Sequence, residues 1–262
     1  MNTKIIFFDI DGTILSHRTH QISKTTKAAL KQAKANGHLT FINTGRSFAE
    51  LDETILEIGF DGYVCGCGTY ITYQDKILLH TAISDELCRS IIKDLRNYKL
   101  EAVLEGSNAI YYDHQSTCSK IKKLQDIQKN GFHLNVLNWD APDISIDKFC
   151  IWATSSESIL PFYEKYKDCL HFIKRDNLFF EIVPKGFSKA TGIEYLLSHL
   201  AIPHENAYAF GDSVNDLEML KYVKYSIGMG NSDEIIKNIV SFLTKDVDSD
   251  GISHALMHFS II

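Results

Sequence analysis

Asp9 and Asp11 stand one residue apart at the end of the apolar run in FFDIDGTIL, and this spacing is the first sign of chemistry in the chain. If the run is a strand, alternation puts both carboxylates on one face. Two such charges about 4 Å apart repel by roughly 4 kcal/mol at an effective dielectric of 20. A cation, or a proton retained on one carboxyl, must offset that repulsion. Three later stretches end apolar runs or open helices with suitable groups. They are Thr44, Gly45 and Arg46 in FINTGR, Lys189 in KGFSKATGI, and Asp212, Asn215 and Asp216 in AFGDSVND. Four carboxylates sharing a pocket call for a divalent ion, and Mg²⁺ suits oxygen donors with retained waters. Thr44 and the Gly45 amide offer compact donors for phosphoryl oxygens. Lys189 falls in the first turn of a helix, where a cation opposes the dipole and so points to an anion nearby; Lys185 is its rival.

The elements that must position these groups follow from periodicity. KIIFFDID reads as a strand whose continuous apolar character fits a parallel sheet covered on both faces. Ser23 opens a helix through KTTKAALKQAKAN that stops at Gly37. HLTFIN is the next strand, SFAELDETILEI the next helix and GYVC a third strand. The last third resumes this rhythm with SKATGIEYLLSHL as a helix, NAYAF as a strand, a helix from about Ser213, and YSIGM and SFLT as short strands. Between residues 82 and 185 the pattern changes to helices alternating with paired strands. EAVLEGSNAIYY turns near Gly106 to Asn108 and HFIKRDNLFFEIV near Asp176 and Asn177. Such grouping suggests an α+β sheet covered on one side. The expected architecture is therefore α/β: a Rossmann-like parallel-sheet core of residues 1–81 and 186–262 with an inserted α+β cap domain of residues 82–185. In an open parallel sheet ligands bind beyond the carboxyl ends of the strands, where the winding direction reverses. With the first strand central, the tips at FFDIDGT, at FINTGR and at AFGDSVND, where the late strand ends at Phe210, converge there.

Bulk properties narrow the partners. The 262 residues are 45% hydrophobic, enough for a sizeable core. Lys plus Arg total 27 against 33 Asp plus Glu, a formal charge of -6, which argues against nucleic acid as the main partner. A small anionic substrate remains compatible, because an ion and a few local cations reverse the field inside a cleft. No apolar stretch approaches the ~18 residues of a membrane span, and Asp9 interrupts the first apolar run too early for a signal peptide. With six scattered cysteines, the expected setting is a reducing cytoplasm. Cys65 and Cys67 in VCGCGTYI invite a metal or redox reading, but no second ligand pair accompanies them, and small residues at a tight strand end are the simpler account.

FFDIDGTIL, FINTGR, the Lys in KGFSKATGI and AFGDSVNDLEML resemble the four motifs of the haloacid dehalogenase superfamily of phosphohydrolases. The insert resembles the subclass IIB cap of the Cof-like phosphatases in position, size and element order, and YSIGMGNS is also similar to that subfamily. One departure is Cys67-Gly68, where the subfamily usually has Asn-Gly. The resemblance implies a Mg²⁺-dependent phosphatase acting on a small phosphorylated metabolite, such as a sugar phosphate. It implies Asp9 as the nucleophile that forms an aspartyl phosphate. Asp11 would be the general acid and then base, with a raised pKa. The ion would sit on the Asp9 carboxylate, the Asp11 carbonyl and Asp212. Thr44 and Lys189 would hold the transferring oxygens, with Asn215 reaching the phosphate and Asp216 orienting Lys189 or a water on the metal. Within or beside a closing cap, Arg46, Glu181, Trp139 and Arg175 are candidates to face the leaving group, Arg46 first among them.

Other readings stay open at this stage. A phosphotransferase or phosphomutase would share the aspartyl-phosphate step and differ in the acceptor. Carbon–halogen cleavage needs no Mg²⁺ and leaves Asp11 and Lys189 without the same work. A non-catalytic metal- or phosphate-binding module would bind without turnover, and a redox module would use Cys65 and Cys67.

Overall fold

A computed structural model describes residues 3–262 of the chain. The chain divides into two compact units. One runs to Gly45 and continues through Glu53–Leu78 and Ser188–Ile262; the other comprises Arg46–Asp52 and Leu79–Phe187. The short segment 46–52, which lies within the core segment 1–81 of the sequence reading, thus groups with the second unit.

The first stretch of chain forms β1 (Ile5–Phe8), α1 (Lys24–Ala35), β2 (Leu39–Asn43), α2 (Glu53–Leu56), β3 (Gly62–Cys65), β4 (Tyr70–Tyr73) and β5 (Lys76–His80). The middle forms α3 (Asp85–Asn97), β6 (Glu101–Glu105), β7 (Ile110–Tyr112), α4 (Ser119–Asp126), β8 (Val136–Asn138), β9 (Lys148–Trp152), α5 (Leu160–Tyr166), β10 (Leu170–Lys174) and β11 (Phe179–Pro184). The remainder forms α6 (Lys189–His199), β12 (Ala207–Gly211), α7 (Leu217–Tyr222), β13 (Tyr225–Gly228), α8 (Glu234–Lys237), β14 (Phe242–Leu243) and α9 (Gly251–His258).

In the first unit the strands form an eight-stranded sheet ordered β14-β13-β12-β1-β2-β3-β4-β5. The six strands from β14 to β3 run parallel. β1 is central: Phe8 registers with Ile42 on one side and Phe210 on the other. All four residues of β1 are buried, as expected of a strand covered on both faces. The chain leaves β1 for β2 on one side and reaches β12 on the other, so the winding direction reverses beside β1. Ser23 caps α1 by accepting from the Thr26 amide, and Gly37, with a φ of +84°, ends it.

Three features differ from the sequence reading. SFAELDETILEI is not one helix but a 3₁₀ turn at Phe48–Glu50 followed by the one-turn α2. Ser47 and Glu50 satisfy each other in a capping box, and Leu51 then turns extended, which ends the turn after three residues. β4 and β5 add a hairpin to the sheet edge through Gln74 and Asp75, whose φ values of 48° and 61° fit a type I′ turn. Such turns favour Asn-Gly, and Gln-Asp carries little of that signal. The apolar α9 closes the chain and packs Ile252, Ala255 and Leu256 into the core.

The second unit holds a six-stranded sheet ordered β10-β11-β9-β6-β7-β8. Its pairs are antiparallel except β7 with β8. One face buries Leu104, Phe149, Ile151 and Ile182 against Ile91 and Leu95 of α3 and Phe162 and Tyr166 of α5. The other face is covered in part as well, because Val103, Ile110 and Tyr112 pack on Ile121 of α4 with Ala49 alongside. The sheet is therefore sandwiched rather than covered on one side. Alternation also places a charge cluster on this second face. Lys148 Nζ lies 2.5 Å from Glu105 Oε2 and 2.9 Å from Glu181 Oε1, all three side chains being buried. Arg175 reaches the other Glu181 oxygen at 2.9 Å. Gln128 donates to Glu50 at 3.2 Å and accepts from the Tyr112 hydroxyl. Burial raises the Glu105 carboxyl to about 8, the Glu50 charge adds to this, and Lys148 opposes it. Trp139 is buried and donates its indole N–H to the Tyr111 carbonyl at 3.0 Å, a packing residue of this unit.

Candidate active site

The site is built where β1, β2 and β12 end. Asp9 follows β1 directly, and its amide donates to the Phe210 carbonyl at 3.0 Å, so the β12 neighbour fixes its backbone. The chain then folds back sharply: the amides of Thr13, Ile14 and Leu15 all point at the Ile10 carbonyl, within 2.9–3.2 Å. Gly12 makes this possible with a φ of +82°, and a Cβ there would stand 2.8 Å from the Asp212 carboxyl carbon. The turn thus brings its backbone against the carboxylate that follows β12. Thr13 seals the contact by donating its hydroxyl to Asp212 Oδ1 at 2.9 Å.

Lys189 supplies the cation. It is the first residue of α6, whose Ser188 cap accepts from the Thr191 amide. Its ammonium lies 2.5 Å from Asp9 Oδ1 and 2.6 Å from Asp216 Oδ1, with about 1% of its side chain exposed. Asp216 in turn accepts from the amides of Asp212 at 3.0 Å and Ser213 at 3.1 Å through its other oxygen. Gly211 lets Asp216 approach, since a Cβ at that position would fall 2.6 Å from the Asp216 Cβ. Lys189 and Asp216 therefore lock each other, and two backbone amides lock Asp216.

Electrostatics follow from this crowding. Burial raises the Asp9 carboxyl to about 7; the Asp216 charge adds to this, and Lys189 opposes it. Burial likewise raises Asp212 to about 8, reinforced by Asp9 and Asp216 and opposed by the Thr13 hydrogen bond. For Lys189 burial favours the neutral amine, but the charges of Asp216 and Asp9 outweigh it and hold the ammonium well above the ordinary lysine range. Ligand atoms of Asp9, Asp212 and Asp216 lie within 4.8 Å of one another. The donors are all carboxylate oxygens, and one lysine does not compensate three acids. A divalent ion preferring oxygen fits that donor set.

The remaining sequence candidates fall as follows. Asp11 lies in the turn after Asp9 and is half-buried, with its backbone bridged to Leu15. Thr44 and Gly45 are buried past the end of β2; the Thr44 amide donates to Val64, and the Cys67 amide donates to the Thr44 carbonyl at 3.1 Å. Asn215 is half-buried and accepts from the Ser213 hydroxyl at 2.6 Å. Arg46 groups with the second unit rather than with the acids. Cys67 adopts a left-handed φ of 54°, the conformation that Asn or Gly usually takes. Two residues absent from the sequence candidates support the turn. Thr13 holds Asp212, and Asn231, from YSIGMGNS, donates to the Gly12 carbonyl at 2.8 Å while accepting from the Val247 amide. Thr13 lies within FFDIDGTIL; nothing local marks Asn231 as a partner of a turn more than two hundred residues earlier.

The model of the haloacid dehalogenase-like hydrolases matches residues 6–256. The chain belongs to this family. Its relatives include YkrA of Bacillus subtilis (strain 168), 27% identical over 266 residues and matched along the full length of both chains. The 5-amino-6-(5-phospho-D-ribitylamino)uracil phosphatase YitU of the same organism is 25% identical, with 99% of each chain covered. Among solved structures, the subclass IIB sugar phosphatase BT4131 superposes with a TM-score of 0.84 at 26% identity, covering 99% of this chain and 100% of that one. The protein is thus a phosphoric monoester hydrolase of the haloacid dehalogenase-like family, Cof-like, with a subclass IIB cap. No helix among the described residues is long and apolar enough to cross a membrane.

Proposed function

We propose that this chain hydrolyses the phosphate monoester of a small metabolite, a sugar phosphate or similar compound, through an aspartyl phosphate on Asp9 with Mg²⁺ as cofactor. The observation that carries the reading is the buried Lys189 held between Asp9 and Asp216 beside Asp212. In this reading an Asp9 oxygen attacks phosphorus in line with the departing alkoxide. The Asp9 carboxyl must be ionised to do so, and Lys189 favours that form. Asp11 gives a proton to the alkoxide and later takes one from the attacking water. Thr44, the Gly45 amide and Lys189 hold the equatorial oxygens, whose charge they match in the transition state. Asn215 reaches the same phosphate. Asp216 keeps the lysine aimed. The carboxylates of Asp9 and Asp212, with the Asp11 carbonyl, would hold Mg²⁺, which supplies Lewis-acid charge at the phosphoryl oxygens when bound.

The named activities of relatives span a ribitylamino-uracil phosphate, a sugar phosphate and, in Yersinia pestis, HMP-PP, so the family supports the phosphoryl chemistry more than any one leaving group. A reducing cytoplasm is the setting proposed for the chain, where its free cysteines would stay as thiols. The test is turnover of an aryl phosphate with Mg²⁺, followed by a panel of phosphorylated sugars, nucleotides and vitamin precursors ranked by kcat/KM. Asp9→Asn should reduce activity to background, as should excess chelator. Undiminished activity in either case refutes the mechanism.

A further inference from the structure

We infer that Asn43 is a positioning residue that braces the start of α6 against β2, so that Lys189 and Thr44 act on one phosphoryl group as a rigid pair. The inference rests on the phosphatase reading and deepens it. Asn43 ends β2 and directly precedes Thr44. Its backbone is registered to Val64 of β3, so the sheet fixes its position, and the side chain is fully buried. The side-chain amide donates to the main-chain carbonyl of Lys189 at 2.9 Å, across 146 residues of sequence, and also lies 3.5 Å from Met219 Sδ. The other side-chain atom, Oδ1, is buried without a hydrogen-bond partner among the described residues.

An orphaned buried acceptor is unfavourable, and an apolar residue of similar volume would avoid it. Packing alone therefore does not account for asparagine here; the donated hydrogen bond to Lys189 does. A lysine side chain has four rotatable bonds, so the site of its ammonium depends on where its Cα is held as well as on Asp9 and Asp216. Misplacement of a phosphate-holding group by a fraction of an ångström lowers rate steeply. The brace sets that Cα from β2, the strand that also delivers Thr44.

The test compares the full-length protein with Asn43→Leu, Asn43→Ala, Lys189→Met and the Asn43→Leu/Lys189→Met double variant. Calorimetry with inorganic phosphate and saturating Mg²⁺ gives affinity, and urea unfolding gives stability. Asn43→Leu should weaken phosphate binding about 10-fold and lower kcat by a similar factor, with KM changing less and unfolding midpoint equal or higher. In the Lys189→Met background the same substitution should change phosphate affinity less than about 2-fold, because the effect passes through the lysine. Asn43→Ala repeats the measurement if leucine overpacks. Wild-type phosphate affinity in both Asn43 variants, or an equal loss with and without Lys189, overturns the brace alone. A wild-type protein that neither binds phosphate nor turns over phosphate esters overturns the phosphatase reading and the brace with it.

Discussion

Removing the Asp212 charge should stabilise the metal-free protein, and increasingly so as pH rises. Asp212 is buried, has Asp9 and Asp216 as neighbours, and is raised from an ordinary value near 3.8 to about 8. A group whose folded pKa exceeds its unfolded one binds more protons when folded, so it takes stability away as pH climbs from the unfolded to the folded value. The window here is about pH 4 to 8. Each unit of difference corresponds to about 1.4 kcal/mol, and three of those units separate pH 5 from pH 8. Because Asp9 rises over the same range and shares the proton balance, about 2–4 kcal/mol is the expected share of Asp212 in that interval. Asn at this position keeps the shape and an oxygen for the Thr13 hydroxyl while carrying no charge. In equilibrium urea denaturation with chelator, the stability of Asp212→Asn relative to wild type should therefore grow by about 2–4 kcal/mol between pH 5 and pH 8. Saturating Mg²⁺ should remove or reverse the advantage, since the ion rewards the ionised acid. Parallel pH profiles for the two proteins in chelator would refute the argument that these acids are mutually strained without a cation.

Two further perturbations probe other parts of the molecule. Lys148→Met leaves Glu105 and Glu181 buried without their shared ammonium and should cost about 3–5 kcal/mol in urea unfolding at pH 8, less at pH 5, where Glu105 takes up a proton. Cys67→Asn should unfold within about 1 kcal/mol of wild type because Asn tolerates the left-handed backbone, whereas Cys67→Val should lose about 2 kcal/mol or more because a branched Cβ does not.

The meeting of Asp9, Lys189, Asp212 and Asp216 was legible because each one follows an apolar run or opens a helix. Asp9, Thr44 and Asp212 directly follow β1, β2 and β12, and the register of these neighbouring strands sets Thr44 and Asp212 one residue beyond the level of Asp9 at the same end of the sheet. The helix start at Lys189 was marked by Ser188 and the periodic run behind it. What was not legible depends on partners far along the chain. Nothing near Asn43 says that its side chain turns toward residue 189, and nothing near Asn231 points to Gly12. The rhythm of the first third suggests a single helix over SFAELDETILEI, whereas Ala49 and Glu50 find their partners beside Ile121 and Gln128. The sandwiching of the second sheet was hidden in α4, whose lysines at 120, 122 and 123 mask the one residue, Ile121, that it buries fully.

The grouping of Arg46–Asp52 with the second unit has an outcome for modular exchange between relatives. The backbone passes from one unit to the other after Gly45, Asp52, Leu78 and Phe187, so the cap is not a cassette spliced in at two joints. A graft that transplants residues 79–187 alone would deprive Gln128 of its native Glu50 partner and leave the donor cap facing a foreign tether. Chimaeras that carry the donor's own 46–52 sequence along with its cap should fold where the simpler swap does not, and the loop behind Thr44 should be co-inherited with the insert rather than with the first unit.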